Sequence, residues 1–369
     1  MAPSPATGRS ASPWFRTAVT MPAPAGATLG VMRRRRRLVQ RLSAAGLVLG
    51  SVGVLLAGCG SPARVPAAVA RCPLTWLPAP GGVVPRRAAL AVKIGNDPAA
   101  RPQSGLAGAD IVIEEPIEGA MTRLIAVYQC HQAAEVGPVR STRWTDTHIL
   151  GQFGRAGFAF AGGTIPEEDM VRTSPLVDLS VNAVPSAYHR IAGRRAPENL
   201  YTSTAALWRD VPGRAPPRPV FRYGRPLLKG RPVTAATLAF SSSFAVQWRW
   251  DQGRRTWVRW VDGRIDRGAD GRALQAANVV IEDVATVPGI VEDALGSRGV
   301  NSITTGHGEA TVLTRGHATA GTWHRVAADA PATLTAAGGR PLVLAPGVTW
   351  LELLPVSGVV TGSLAIEHA

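Results

Sequence analysis

Lysine is nearly absent from this chain: of 40 basic residues, only Lys93 and Lys229 are not arginine. With abundant alanine and glycine, that bias marks a GC-rich coding sequence rather than a selected nucleic-acid surface. No basic patch with interleaved aromatics follows residue 58, which argues against nucleic acid as a partner. Acidic residues are missing from residues 1–58, which hold eight arginines. Without that segment the formal net charge falls from +15 to +7. Such a balance suits an anionic ligand or an anionic envelope polymer. Cysteine is scarce, with Cys59, Cys72 and Cys130 alone. No C-x-x-C or H-E-x-x-H spacing is present, so zinc-site patterns are missing. Nucleophile motifs are missing too. Ser141 has no G-x-S-x-G around it, and Gly162-Gly163-Thr164 lacks the lysine and spacing of a P-loop. His131, His148, His189, His307, His317 and His324 are scattered.

Long apolar runs are also lacking. The stretch from Leu42 to Leu56 falls short of the roughly 20 residues that span a bilayer. It follows Arg33 to Arg37 and Arg41, and it ends in Leu56-Ala57-Gly58-Cys59. A charged region, a short apolar region and small residues before a cut make a secretory signal over residues 1–58. Cysteine right after the cut resembles a bacterial lipobox, with Cys59 as the lipidated residue. The expected location is extracytoplasmic, on the membrane through a lipid anchor; the alternative is a plain anchor helix. Initiation at Met32 would give a signal of ordinary form, leaving 1–31 outside the fold.

The remaining 310 or so residues suffice for two domains. Residues 59–72 read as a lipidated tether. In an oxidising compartment Cys72 and Cys130 form a disulfide or stay as two thiols. Strands are expected at Ala88–Ile94, broken only by Lys93, and at Asp110–Glu114, Arg123–Gln129 and Phe158–Ala161. Ser141 is placed to cap a helix carrying Trp144, Ile149, Leu150 and Phe153. Thr164-Ile-Pro-Glu167 has the spacing of a capping box, with proline in the first turn. A weaker helix covers Thr202–Trp208. Together these give an α/β to α+β, mixed-sheet layered N-terminal domain over 73–215. Val211–Pro219 opens a linker that extends over 216–234.

A mostly β C-terminal domain is expected over 235–358. Val246-Gln-Trp-Arg-Trp250 and Thr256-Trp-Val-Arg-Trp260 alternate around Asp251-Gln252-Gly253, a hairpin pattern. Further strands fall at Asn278–Ile281, Ala310–Leu313, Thr322–Val326 and Val348–Leu353. Five of the ten tryptophans lie in 248–323, and Trp350 follows. Core and cross-strand packing is their expected role. A sugar-stacking platform is the sharper alternative. Gly306-His-Gly308 reads as a turn, or as a flexible loop near a site.

Several stretches resemble the YerB-like lipoprotein family, a bacterial family of unknown function. They are Asn96-Asp-Pro-Ala-Ala-Arg-Pro-Gln-Ser-Gly-Leu106, Ala109-Asp-Ile-Val112, Glu118-Gly-Ala-Met-Thr-Arg123, Gly137-Pro-Val-Arg-Ser-Thr-Arg143 and Asn199-Leu-Tyr-Thr-Ser203. Asn278-Val-Val280, Gly306-His-Gly308, Gly321-Thr-Trp323 and Pro346-Gly-Val-Thr-Trp350 are similar to its C-terminal domain. The resemblance implies a β-rich layered architecture and no established chemistry. In two places the chain departs from the family pattern. Gly95 stands where the family usually has Asp, and Glu198 where it often has His.

Polar residues of the first domain gather at strand ends and loops. Arg101, Arg123, Arg140, Ser141 and Arg143 are the anion-binding candidates, because guanidinium forks near a helix start suit phosphate or pyrophosphate. Asp97, Asp110, Glu114, Glu115 and Glu118 could hold a divalent cation such as magnesium bridging that ligand. Asn96 and Asn199 complete the candidate pocket. The competing reading is that these arginines and acids pair and fix the loops. Strands 2 and 3, read antiparallel, bring Glu114 and Arg123 to one end. The order Asp97, Arg101, Asp110, Arg140 has a loose likeness to LytR-CpsA-Psr glycopolymer transferases. The leading expectation is binding of an anionic envelope ligand, such as an envelope polymer or a lipid-linked pyrophosphate. The alternatives are a metal-assisted glycopolymer phosphotransferase and a non-catalytic structural adaptor.

Overall fold

The structure is a computed structural model that describes residues 69–213, 215–226, 228, 232–292 and 298–369. The signal segment and Cys59 lie outside the described residues. Among those described, no helix is long and apolar enough to cross a membrane.

The first half builds β1 (Leu90–Gly95), β2 (Ile111–Pro116) and β3 (Thr122–Tyr128), each buried along its whole length. Next come α1 (Trp144–Leu150), β4 (Gly157–Ala159), α2 (Ile165–Thr173), β5 (Val177–Asp178), β6 (Tyr188–Arg190), β7 (Leu200–Thr202) and α3 (Thr204–Trp208). The second half is all strand. It holds β8 (Val233–Ala239), β9 (Ala245–Asp251), β10 (Thr256–Val261), β11 (Arg264–Ile265), β12 (Gln275–Ala276), β13 (Asn278–Glu292) and β14 (Arg298–Ser302). The chain ends with β15 (Gly306–Thr314), β16 (His317–Arg325), β17 (Thr333–Ala336), β18 (Thr349–Gly358) and β19 (Ser363–His368).

The first sheet runs β17-β16-β15-β13-β18-β2-β3-β1-β4-β5, with β14 also on β13. It draws strands from both halves. The seam is β2 beside β18, parallel, with Ile111 opposite Thr349 and Glu114 opposite Glu352. The expected linker therefore does not divide the hydrogen-bonded sheet. The second sheet, β11-β10-β9-β8-β19 with β12 on β10, is antiparallel. Its edge strand β19 lies past residue 358, where the second domain was expected to end. Mixed and antiparallel sheets with short helices make an α+β fold.

Both faces of the first sheet are covered along β1, β2 and β3, which is why these strands read as largely apolar runs, whereas β16 and β17 are partly exposed. Leu90, Val92, Ile94, Val112 and Leu124 pack toward the second sheet with Leu238, Trp248, Trp257 and Trp350. Ala91, Ile111, Ile113, Ile125 and Val127 pack on the other face with Ile149, Phe158, Val171 and Trp323. Side chains alternate along a strand, so Glu114 and Glu115 leave β2 on opposite faces.

Several local expectations change. Ser141 does not cap α1; its hydroxyl donates to the Ala161 carbonyl at 3.2 Å. Arg143 precedes the helix, and Asp146 accepts from the Arg143 N–H at 2.7 Å. Phe153 falls in a 3-10 turn after α1. Gly306-His-Gly308 is neither turn nor loop but the start of β15, paired with β16. The α2 box forms, with Glu167 accepting from the Thr164 N–H at 2.9 Å. Cys72 and Cys130 are joined in a disulfide. Cys72 is fully buried, so the fold already includes it and the tether stops short of it.

Candidate functional site

The ends of β1 and β3 meet the loops before α1 and α2. Lys93, Glu115 and Arg123 project from the helix-covered face of the first sheet, and this gathers charge where the strands stop. Arg143 binds Glu118 through two nitrogens, with Nε at 2.9 Å. Arg123 lies 3.7 Å from the same carboxylate and donates to the Ser141 carbonyl at 3.1 Å. Arg140 pairs with Glu198 at 3.0 Å, and Glu167 stands 3.9 Å from Arg143. Arg123, Arg140, Ser141, Arg143 and Glu118 therefore do come together. Each arginine already has a carboxylate beside it.

The electrostatics follow from that pairing. Burial pushes the Glu118 carboxyl up, but the hydrogen bonds and charge of Arg143, with Arg123, outweigh it and hold the group at about 2. Burial and the neighbouring Arg143 pull Arg123 down to about 10. Burial raises Glu198 above its ordinary value against the pull of Arg140. In the Arg140–Glu198 pair, two buried atoms, Arg140 Nε and Glu198 Oε2, have no hydrogen-bond partner among the described residues. A Cβ on Gly95 would sit 3.0 Å from Arg140 Cγ and 3.4 Å from Glu198 Oε2. The positions of the two departures from the family pattern, 95 and 198, are thus neighbours around Arg140.

The acidic candidates do not converge. Asp97 accepts from the N–H groups of Ala99 and Ala100. Asp110 is buried at the far end of the sheet, where it accepts from the Cys130 N–H at 3.0 Å and contacts His131 Nδ1 at 2.5 Å. That hydrogen bond raises the His131 ring above its usual range. Glu114 faces the second sheet. It accepts from Asn96 at 3.0 Å and Thr122 at 2.6 Å, and it pairs with Arg259 of β10 at 2.7 Å. Arg259 also binds Asp266. Glu352, opposite Glu114 and bound by Trp248 Nε1 at 2.8 Å, is raised well above its ordinary value by burial and by Glu114. Arg101 reaches Asp262 at 3.3 Å and Asn96 at 3.4 Å. Asn199 takes a hydrogen bond from Arg190 on the surface. Among the described residues, no group of three or more His, Cys, Asp or Glu is arranged to hold a metal ion.

Glu115 belongs to a separate buried group. Lys93 Nζ lies 2.6 Å from Asp146 Oδ1 and in contact with Glu115, and all three side chains are fully buried. Burial, then the nearby Asp146, pushes the Glu115 carboxyl up to about 8 against the pull of Lys93. Glu115 is among the acidic candidates expected from sequence, but its partners Lys93, a lone lysine in an apolar strand, and Asp146 are not among the expected site residues.

The outer face of the second sheet differs. A groove of about 560 Å³ is lined by Arg249, Arg254, Trp260, Ile265, Arg267 and Arg272, among others. Trp260 and Val258 form its floor by alternation, opposite Gln247 and Arg249 of β9. The Arg249 guanidinium lies 4.0 Å from the Trp260 ring centroid. Arg254 pairs with Asp251 at 2.6 Å and Arg272 with Asp270 at 2.7 Å. Arg249 donates to Gln247 at 2.5 Å and Arg267 to the Gly271 carbonyl at 2.9 Å. Neither has a carboxylate partner among the described residues. Trp248, Trp257, Trp323 and Trp350 are buried, as the packing role requires. Trp260 lies in the groove floor and Trp250 also lines the groove, so, contrary to the expectation from sequence, arginines interleaved with aromatics do form a basic patch after residue 58.

Two family profiles match this architecture. Residues 74–216 match the N-terminal domain, and residues 236–351 the C-terminal domain, of a family described as protein of unknown function DUF3048. The chain belongs to the DUF3048 family. A 91-residue stretch is 47% identical to the Bacillus subtilis (strain 168) protein named "Putative lipoprotein YerB"; it spans 24% of this chain and 27% of that protein. The crystal structure of YerB from Bacillus subtilis has the same fold. It matches with a TM-score of 0.68 at 24% identity, over 80% of this chain and 99% of that one. The two DUF3048 profiles fall on either side of the β2–β18 seam, so residues of both complete the first sheet.

Proposed function

We propose that this chain is a lipid-anchored extracytoplasmic protein that holds an anionic envelope polymer on the outer face of its second sheet. The anchor rests on the lipobox-like Cys59 and on the name of the similar Bacillus subtilis protein. The Cys72–Cys130 disulfide suits the same compartment. One observation carries the binding role: Arg249 and Arg267 flank a tryptophan-floored groove without a carboxylate to neutralise them. An indole face stacks on a sugar ring, and guanidinium groups without a carboxylate partner take phosphate or carboxylate. An open groove admits a chain rather than a single small molecule.

The full chain should bind a polyuronate or a poly(glycerol phosphate) in affinity electrophoresis and ignore neutral dextran. An Arg249→Ala, Arg267→Ala variant should lose that retardation, and an Arg140→Ala, Arg143→Ala variant should keep it. Equal binding by the first variant and the parent would sink the assignment. A second reading keeps a small anion at the β1–β3 end, favoured by the partnerless Arg140 Nε beside the side-chain-free Gly95. Pyrophosphate, with and without magnesium, then stabilises the parent chain and not the Arg140→Ala, Arg143→Ala variant.

A further inference from the structure

Lys93, Glu115 and Asp146 pose a problem that ordinary ion pairing solves poorly. One cation faces two carboxyl groups, and none of the three reaches water. A buried ammonium–carboxylate pair gives up two hydration shells and recovers little net stability. Both donors and acceptors are unevenly used. Asp146 Oδ2 is held by the Arg143 N–H at 2.7 Å and the Thr142 hydroxyl at 3.0 Å. Its Oδ1 accepts from the Lys93 amine at 2.6 Å. Glu115 touches the same amine through Oε1, and its Oε2 has no hydrogen-bond partner among the described residues. An amine, a carboxyl group with one oxygen fixed by two donors, and a second carboxyl within reach of the amine are the parts of an intramolecular condensation.

We propose that Lys93 and Asp146 form an isopeptide bond inside the fold, with Glu115 relaying the protons. The ammonium gives a proton by way of Glu115 to Asp146. The freed lone pair on Nζ then attacks Cγ of Asp146. The negative charge that develops on Oδ2 falls on the Arg143 N–H and the Thr142 hydroxyl, which are already aimed at that oxygen. Glu115 takes a proton from the nitrogen and returns one to Oδ1. The Nζ–Cγ bond forms, the Cγ–Oδ1 bond breaks, and one water leaves. Ammonium plus carboxylate become amide plus water, without oxidant, reductant or cofactor.

Three physical terms favour the step. The groups are fixed in contact, so the reaction is effectively unimolecular. Two buried charges are exchanged for one neutral amide, which removes their desolvation cost. The raised Glu115 carboxyl carries its proton at neutral pH, as a relay must. The product keeps the Asp146 hydrogen bonds, because Oδ2 becomes the amide oxygen. The new bond would tie β1 to α1 within the first half, independently of the groove on the second sheet.

The test is the mass of the full chain's tryptic peptides after denaturation and reduction. Trypsin does not cut after an acylated lysine. The expected product is the 88–123 peptide joined to the 144–155 peptide, lighter than their sum by one water. Lys93→Arg and Glu115→Gln should each abolish that species; the parent chain decides even if a variant misfolds. Recovery of the free 88–93 peptide in full yield from folded parent protein would overturn the proposal. A water loss confined to 88–123 would overturn it as well, since that places the bond on Glu115.

Discussion

Two sets of arginines share this molecule and live under opposite conditions. At the β1–β3 end, Arg123, Arg140 and Arg143 are largely buried, and each has Glu118, Glu167 or Glu198 beside it. On the outer face of the second sheet, Arg249 and Arg267 are exposed and, among the described residues, hydrogen-bond to an amide oxygen and a backbone carbonyl rather than to a carboxylate. The residue type is the same and the physics is not. A charge taken from water must meet an opposite charge or a full set of hydrogen bonds. An exposed charge keeps its hydration and can be left open for a ligand. Burial has thus turned the first set into structure, while the second keeps the charge that a polyanion needs.

The largest effect should come from Arg259, the most deeply paired of all. It sits between the sheets with Glu114 and Asp266, and the charges of those two acids hold it above its ordinary range despite burial. Arg259→Leu strands two buried carboxylates. The expected loss is about 3–5 kcal/mol of unfolding free energy, the cost of breaking a buried pair from one side. A urea melt measures it, and a loss no larger than a surface substitution gives would mean that the sheets do not depend on this network.

Arg143→Ala should cost less, about 1–3 kcal/mol, since Arg123 remains near Glu118. Its pH signature is the sharper readout. Glu118 is held at about 2, below its ordinary 4.5. A depressed carboxyl contributes stability above its unfolded pKa and loses it as pH falls through the folded one. Parent stability should therefore drop between about pH 4.5 and 2, and in the variant that part of the slope should shrink. An unchanged acid limb would show that Glu118 is not held by Arg143.

Much of this was readable beforehand, and the failures have a common cause. Strands β1, β2, β3 and the β9–β10 hairpin follow from local apolar patterning and turn residues, and they form where expected. Convergence of Arg123, Arg140, Arg143 and Glu118 also follows from their places at element ends. Pairing between distant segments has no local signal. Nothing around Glu114 announces Arg259, 145 positions away. Nothing in Gly306-His-Gly308 tells a turn from a strand until β16 lies beside it. Ser141 has a capping side chain but donates to Ala161 instead, because the chain before α1 runs against β4's exit. The groove was missed because alternation assigns Arg249 and Trp260 to one face without saying that this face stays bare.

The smallest stability effect should come from the exposed set, and it is the most informative. Arg249→Ala with Arg267→Ala removes two surface cations and no carboxylate contact. Their combined effect on unfolding should stay within about 0.5 kcal/mol. Polyanion binding should nevertheless be lost, and parent binding should weaken steeply with salt, since exposed charges more than a Debye length apart are screened. Trp260→Ala should act differently. It removes the ring and leaves the guanidinium groups, so binding to a poly(glycerol phosphate) should persist while binding to a polyuronate falls. Equal losses on both polymers would mean that the groove reads charge alone and that Trp260 serves only to hold the Arg249 fork in place.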